Sequence, residues 1–281
     1  MSKIDVNKCL SEDFVEYKYK YHFFEKFDNI DIRTSEKIYN NAGLPDPDAF
    51  SEILYDYFAE IWNLNYPNSK VKKIWNGNAW ELIGIKDNFL RLGTDSIMSI
   101  YWHRFNMREF IIKLIEGKKY DFQIFIREYL KKANTIGGFV LFPRHIQSIN
   151  QRRGTNSQID DRFDLTLECI KRYYTNREKS ETESNYNPLS SVLKNDATFF
   201  DMFGKGEAGF KNYAEFFCLN ESWVENGQVL NLMNNEPLDN WDFKKEPLPQ
   251  NLEEWWWKFY ENIMSRLDAR NEQIKNLINK K

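Results

Sequence analysis

The chain has 281 residues, 42% hydrophobic content and a formal charge of −3. That is enough apolar material for one large domain or two small ones. The near-balanced, interspersed charge excludes a general electrostatic grip on nucleic acid, leaving room only for a local basic strip. No apolar run approaches the length of a membrane span, and the N-terminus, MSKIDVNKCLSEDF, lacks the apolar core of a signal peptide. Three scattered cysteines, Cys9, Cys169 and Cys218, fit a reducing cytoplasm and no disulfide framework or cysteine-based zinc site.

In chain order, Tyr17, Tyr19 and Tyr21 alternate with Lys18 and Lys20 in a weak strand-like period of two. Pro45 and Pro47 lead into a helix expected near 48–63, where Phe50, Leu54, Tyr57, Phe58 and Ile61 share one face. Residues 70–92 are β-favouring and broken by Gly77 and Gly84, so short strands joined by turns are expected. Thr94-Asp95-Ser96 suggests a helix cap, with a helix through His103, and a second helix is predicted near 106–131. Ile136–Phe142 reads as a short buried strand ended by Pro143.

The segment that follows is the densest in charge. Arg144, His145, Asn150, Arg152, Arg153 and Gly154 precede a helix expected over 159–174, which opens with Asp160, Asp161, Arg162 and Asp164. Ser157 and Asp160 have capping-box spacing, and Ile159, Phe163, Leu167, Ile170 and Tyr174 form the apolar face. Residues 175–187 are linker-like, and Pro188 suits the first position of another helix. Gly204, Gly206 and Gly209 suggest a loop, 220–250 reads as Asn- and Pro-rich loop, and a last helix is predicted from Leu252 to Leu277 with Trp256, Phe259, Ile263, Leu267 and Ile274 on its stripe.

Arginine forks bind phosphate or carboxylate in bidentate fashion, so Arg144, Asn150, Arg152, Arg153, Gly154, Asp161 and Arg162 are the candidate ligand-binding residues. The competing reading is that the aspartates pair with these arginines and merely lock the loop. Asp164 is expected to be buried, with Arg152 or Arg153 as its partner. No phosphate-loop, nucleophile-elbow or zinc-binding spacing is present, so no metal site, catalytic residue or cofactor is assigned.

The segments LGTDSIMSIYWHR, TIGGFVLFPR, INQRRG, IDDRFDLTLECIKRYY, NPLSSVL, FFDMFG and FKNYAEFF, over roughly 50–275, resemble an uncharacterised bacterial domain family. Thr94 stands where the resemblance leads one to expect serine. It implies kinship without a mechanism. The expected fold is α+β, a helix-rich single domain around a small β-sheet, with 1–187 as its core and 188–281 as a helical subdomain. Two functions are carried forward. One is a cytoplasmic bacterial enzyme acting on a phosphate-bearing substrate, nucleotide or nucleic acid, as a toxin or phage-defence effector. The other is a non-catalytic binding or assembly protein with a structural Arg/Asp cluster. The expected partners are an anionic small molecule or nucleic acid, with no membrane, and a second copy through the Trp-rich C-terminal helix.

Overall fold

The computed structural model of the chain describes residues 51–86, 90–97, 132, 135–144, 162–176, 186–244 and 252–279. Two compact units divide the chain: Met1–Ser96 with Ile100–Leu141, and Ile97–Ser99 with Phe142–Lys281. The architecture is α+β, as expected.

In the first unit, α1 (Glu52–Asn65) starts where the Ser51 hydroxyl accepts the Leu54 N–H at 3.4 Å. Its buried stripe is Leu54, Tyr55, Phe58, Ile61 and Trp62. The strands β1 (Val71–Trp75), β2 (Trp80–Gly84), β3 (Arg91–Ser96) and β4 (Phe139–Pro143) form one sheet in that order. β1 and β2 are an antiparallel hairpin with Trp75 opposite Trp80, and Leu82 of β2 faces Leu92 of β3. The helix and sheet are tied at β1, where the Asn63 side chain donates to Val71 O and accepts from Val71 N–H. A 3-10 turn, Ile136–Gly138, leads into β4.

One expectation fails here. The helix expected from Thr94 does not begin there, because Thr94-Asp95-Ser96 ends β3. Leu92 and Thr94 are both buried, and the Thr94 N–H donates to the Tyr55 hydroxyl at 3.2 Å, so the strand gains a partner that a local cap reading cannot see. The helices expected near 98–103 and 106–131 lie outside the described residues, as does the alternating segment at Tyr17–Tyr21.

The second unit is built around α2 (Phe163–Asn176), with α3 (Ser190–Asn195), α4 (Ala197–Asp201), α5 (Gly206–Phe216) and α6 (Leu252–Asn279). Position 187/188, the expected boundary, lies inside this unit. Aromatic rings fill the core between α2, α4 and α5. Tyr174, Phe200, Phe203, Tyr213 and Phe217 meet at centroid distances of 4.9 to 6.4 Å, and the Tyr174 hydroxyl donates to Phe200 O at 2.6 Å. Gly206 and Gly209 belong to α5 rather than to the expected loop. A Cβ at Gly209 would stand 2.7 Å from the Gly204 carbonyl, so the absent side chain is what lets the chain fold back there. α3 begins two residues after Pro188, whose neighbour Asn187 accepts the Leu189 N–H and donates to Cys169 O.

The stretch expected to be plain loop contains a small hairpin, β5 (Val224–Glu225) and β6 (Gln228–Val229). Its two turn residues, Asn226 (φ 51°) and Gly227 (φ 78°), both adopt the left-handed conformation. Asn-Gly is the pair that a tight two-residue hairpin favours. On α6, Phe259, Ile263, Leu267 and Ile274 are buried, as their spacing predicts; the Trp256 side chain lies outside the described residues.

Candidate functional site

α2 is buried on nearly every side, which is unusual for a helix carrying so many charges. Asp164, Glu168 and Arg172 recur at i, i+4 and i+8, so they stack on one face. Arg162 precedes the first turn, and its carbonyl accepts the Thr166 N–H at 3.2 Å. All four are at most 4% exposed.

Arg162 and Asp164 form a two-point ion pair, Nε to Oδ1 at 3.1 Å and Nη2 to Oδ2 at 2.5 Å. The same Nη2 donates to the Asn231 side chain at 2.9 Å, while Asp164 Oδ2 also accepts the Leu232 N–H at 2.8 Å. The guanidinium lies 5.5 Å from the centre of the Trp241 ring. Asp164 is therefore buried, as expected, and pairs with Arg162, while its expected partners Arg152 and Arg153 lie outside the described residues. The reason is local: from the residue before the first turn, a guanidinium reaches back onto a carboxylate two positions on.

One and two turns later, Arg172 Nε donates to Glu168 Oε1 at 2.7 Å. Its other nitrogens donate to the carbonyls of Tyr186, at 2.8 Å, and Trp241, at 2.8 Å, with longer contacts to Leu238 and Asp239. Lys171 pairs with Asp239, which also accepts from Gln228. Burial pushes the Glu168 carboxyl up to about 7, against the opposing pull of Lys171 and Arg172. Its second oxygen accepts no hydrogen bond. Burial likewise holds the neighbouring Cys169 thiol well above its ordinary range, so it is a poor nucleophile.

α6 offers a matching polar row. Asn262 donates to Leu232 O at 2.5 Å. Arg266 donates to Leu230 O at 2.8 Å, Asn231 O at 3.1 Å and the Asn235 side chain at 2.6 Å, and lies 5.3 Å from the centre of the Trp223 ring. Arg270 donates to Phe217 O at 2.8 Å, and Gln273 to Asn220 O. Burial lowers the Arg266 pKa to about 10. The carbonyls of 217–241 are thus held by Arg172 of α2 and by a row of long donors on α6.

The physical reason is accounting. Irregular backbone cannot satisfy its own polar groups, and a buried carbonyl without a donor costs stability. Arginine carries five donors and no acceptor on a planar fork, so one side chain can cap several carbonyls at once.

Of the candidate residues, Arg162 lies in this cluster, and Arg144 is half-buried at the exit of β4. Asn150, Arg152, Arg153, Gly154 and Asp161 lie outside the described residues, as do His145, Ser157 and Asp160. Sequence reasoning missed Arg172, Arg266, Asn231 and Asp239. The i+4 recurrence of charge along 164–172 was the available signal for the first; the other three are brought in from distant positions. Among the described residues no group of His, Cys, Asp and Glu is placed to hold a metal ion, and no helix is long and apolar enough to cross a membrane.

These features define an α+β protein whose second unit closes around an arginine–carboxylate cluster. The chain belongs to a family of unknown function, DUF6994, whose model matches residues 30–274. This bears out the resemblance seen in the sequence. Neither curated proteins nor solved structures gave a match.

Proposed function

We propose that the protein is a non-catalytic binding or assembly protein in which the arginine–aspartate cluster is structural. One observation supports this most. The guanidinium groups of Arg162, Arg172 and Arg266 direct their donors to Asp164, Glu168, Asn231, Asn235 and main-chain carbonyls of the same unit. An arginine that recognises phosphate must present its fork to the ligand. Titration calorimetry with inorganic phosphate and with nucleoside mono- and triphosphates tests this. The expected result is no saturable heat. Saturable binding that Arg162→Gln abolishes in a folded variant would overturn the reading.

Glu168 favours a second reading, a bacterial enzyme acting on a nucleotide or nucleic acid, with a toxin or phage-defence role. A carboxyl held near 7 is poised to exchange a proton at neutral pH, and the Lys171 ammonium lies 3.9 Å from it. Nucleotide or nucleic-acid turnover lost in Glu168→Gln at unchanged stability is the result that would select it. An assembly role would have to use a surface other than the apolar stripe of α6, whose Phe259, Ile263, Leu267 and Ile274 are buried within the single chain, and light scattering that reports a monomer at all concentrations would remove that part of the proposal.

A further inference from the structure

The β1–β2 hairpin carries a surface whose chemistry the fold does not require. Over residues 70–91 there are five basic side chains against two acidic ones, a local charge of +3 in a chain of −3. Lys70, Lys72 and Lys86 are exposed, and among the described residues their ammonium groups make neither ion pair nor hydrogen bond. At the other end of β1, Trp75 is 44% exposed.

Trp75 is held rather than loose. Its ring meets that of Trp80 edge-on, with centroids 5.3 Å apart. Trp80 is fixed in turn by Lys73, whose Nζ lies 5.0 Å from its centroid and pairs with Glu52 and Asp56 of α1. The tip between the two tryptophans is pinned by Asn76, whose Oδ1 accepts the N–H groups of Asn78 and Ala79, both at 2.9 Å. Gly77 turns the chain at φ +97° with open space around it. A pre-ordered aromatic face loses little conformational entropy when something stacks on it.

We infer that this hairpin is a docking surface for single-stranded nucleic acid, with Trp75 stacking on a base and Lys70, Lys72 and Lys86 meeting phosphates. The inference stands on the first unit alone, whatever the role of the arginine cluster in the second. Trp75 and Lys72 differ by an odd number of positions, so they point to opposite sides of β1. Among the described residues β1 is the edge strand of its sheet, and a polynucleotide lying along that edge reaches both sides. An acidic peptide would use the lysines but offers no π-face for the indole. A neutral saccharide would use the indole but not the lysines. A single strand uses both, through aromatic stacking and phosphate contact.

The test is fluorescence anisotropy of a labelled oligo(dT) with the full chain at several salt concentrations. Saturable binding that weakens steeply with salt is expected, accompanied by quenching of tryptophan emission. Trp75→Ala should weaken it at least about tenfold, while Trp75→Phe, which keeps a ring, should retain most of it. Lys70→Gln with Lys72→Gln should flatten the salt dependence. No binding at low salt would overturn the inference. So would binding indifferent to Trp75→Ala in a variant that melts like the parent, or displacement of the oligonucleotide by poly-glutamate at equal concentration, which would assign the surface to an acidic protein.

Discussion

Asp164 is fully buried and holds Arg162 through both carboxylate oxygens, so removing the carboxylate strands a cation in the core. Asp164→Ala should therefore cost roughly 3–5 kcal/mol, read as a fall in the denaturant midpoint. An unchanged midpoint would mean that the pair contributes nothing. Glu168 behaves in the opposite sense. Its folded pKa, about 7, stands above the ordinary 4.5, so the folded state holds the proton more tightly than the unfolded chain does. The stability it contributes is fully present below about 4.5 and is lost as pH rises through 7. Glu168→Gln should remove that slope: melts at pH 5 and pH 8 should differ less for the variant than for the parent, and equal slopes would refute the assignment. At Gly209, alanine brings a better helix former but also a methyl 2.7 Å from the Gly204 backbone and 2.9 Å from the Tyr174 ring. The clash should win, at about 1–3 kcal/mol, and a stabilised Gly209→Ala would show that this corner relaxes freely.

The elements that sequence reasoning located well are those whose signal is carried within one turn or one strand. α1 and the buried stripe of α6 follow from periodicity, because a single amphipathic face specifies both the element and its orientation, and the strands of 70–92 follow from β-favouring residues punctuated by glycine. What it missed was set from a distance. Thr94 reads as a helix start, whereas it lies in β3, where its N–H donates to the Tyr55 hydroxyl of α1. The Asn226-Gly227 turn was legible from its own residues and was obscured by the polar composition around it. Of the candidate site, Arg162 and Asp164 were visible because they are close in sequence, whereas Asn231 and Arg266 lie far along the chain and join them only through folding. Arg266 also shows why charge alone is a poor guide. Lysine keeps the charge at this position but concentrates its donors on one nitrogen, which cannot span Leu230 O, Asn231 O and the Asn235 side chain. Arg266→Lys should thus cost about 1–3 kcal/mol for the carbonyl left uncapped, and a melt equal to the parent would show that charge is all the site needs.

At the scale of the molecule, the division of the chain makes α2 part of the C-terminal unit, in contact with α3, α5 and β6. A fragment covering 142–281 should therefore melt cooperatively. One covering 188–281 lacks α2, hence Arg162, Asp164 and Arg172, and should not. Cooperative melting of the shorter fragment would place the folding boundary at the composition change after 187, where the sequence alone puts it. Composition marks where a chain is polar, but a unit ends where contacts end, and those are not written in the local composition.

At Phe217, Leu230 and Leu238 the guanidinium groups of Arg270, Arg266 and Arg172 recognise carbonyl oxygens, which every residue type possesses. At these three positions the helices therefore read the path of the segment and not its side chains, in contrast to Asn231, Asn235 and Asp239, whose side chains are themselves bonded. In a saturation mutagenesis screen scored for folded protein, Phe217, Leu230 and Leu238 should be tolerant or intolerant according to their own packing, indifferent to the arginine that grips them. Arg172, Arg266 and Arg270 should tolerate almost nothing. A grip of this kind leaves one side of the contact open to sequence drift while the other is held fixed.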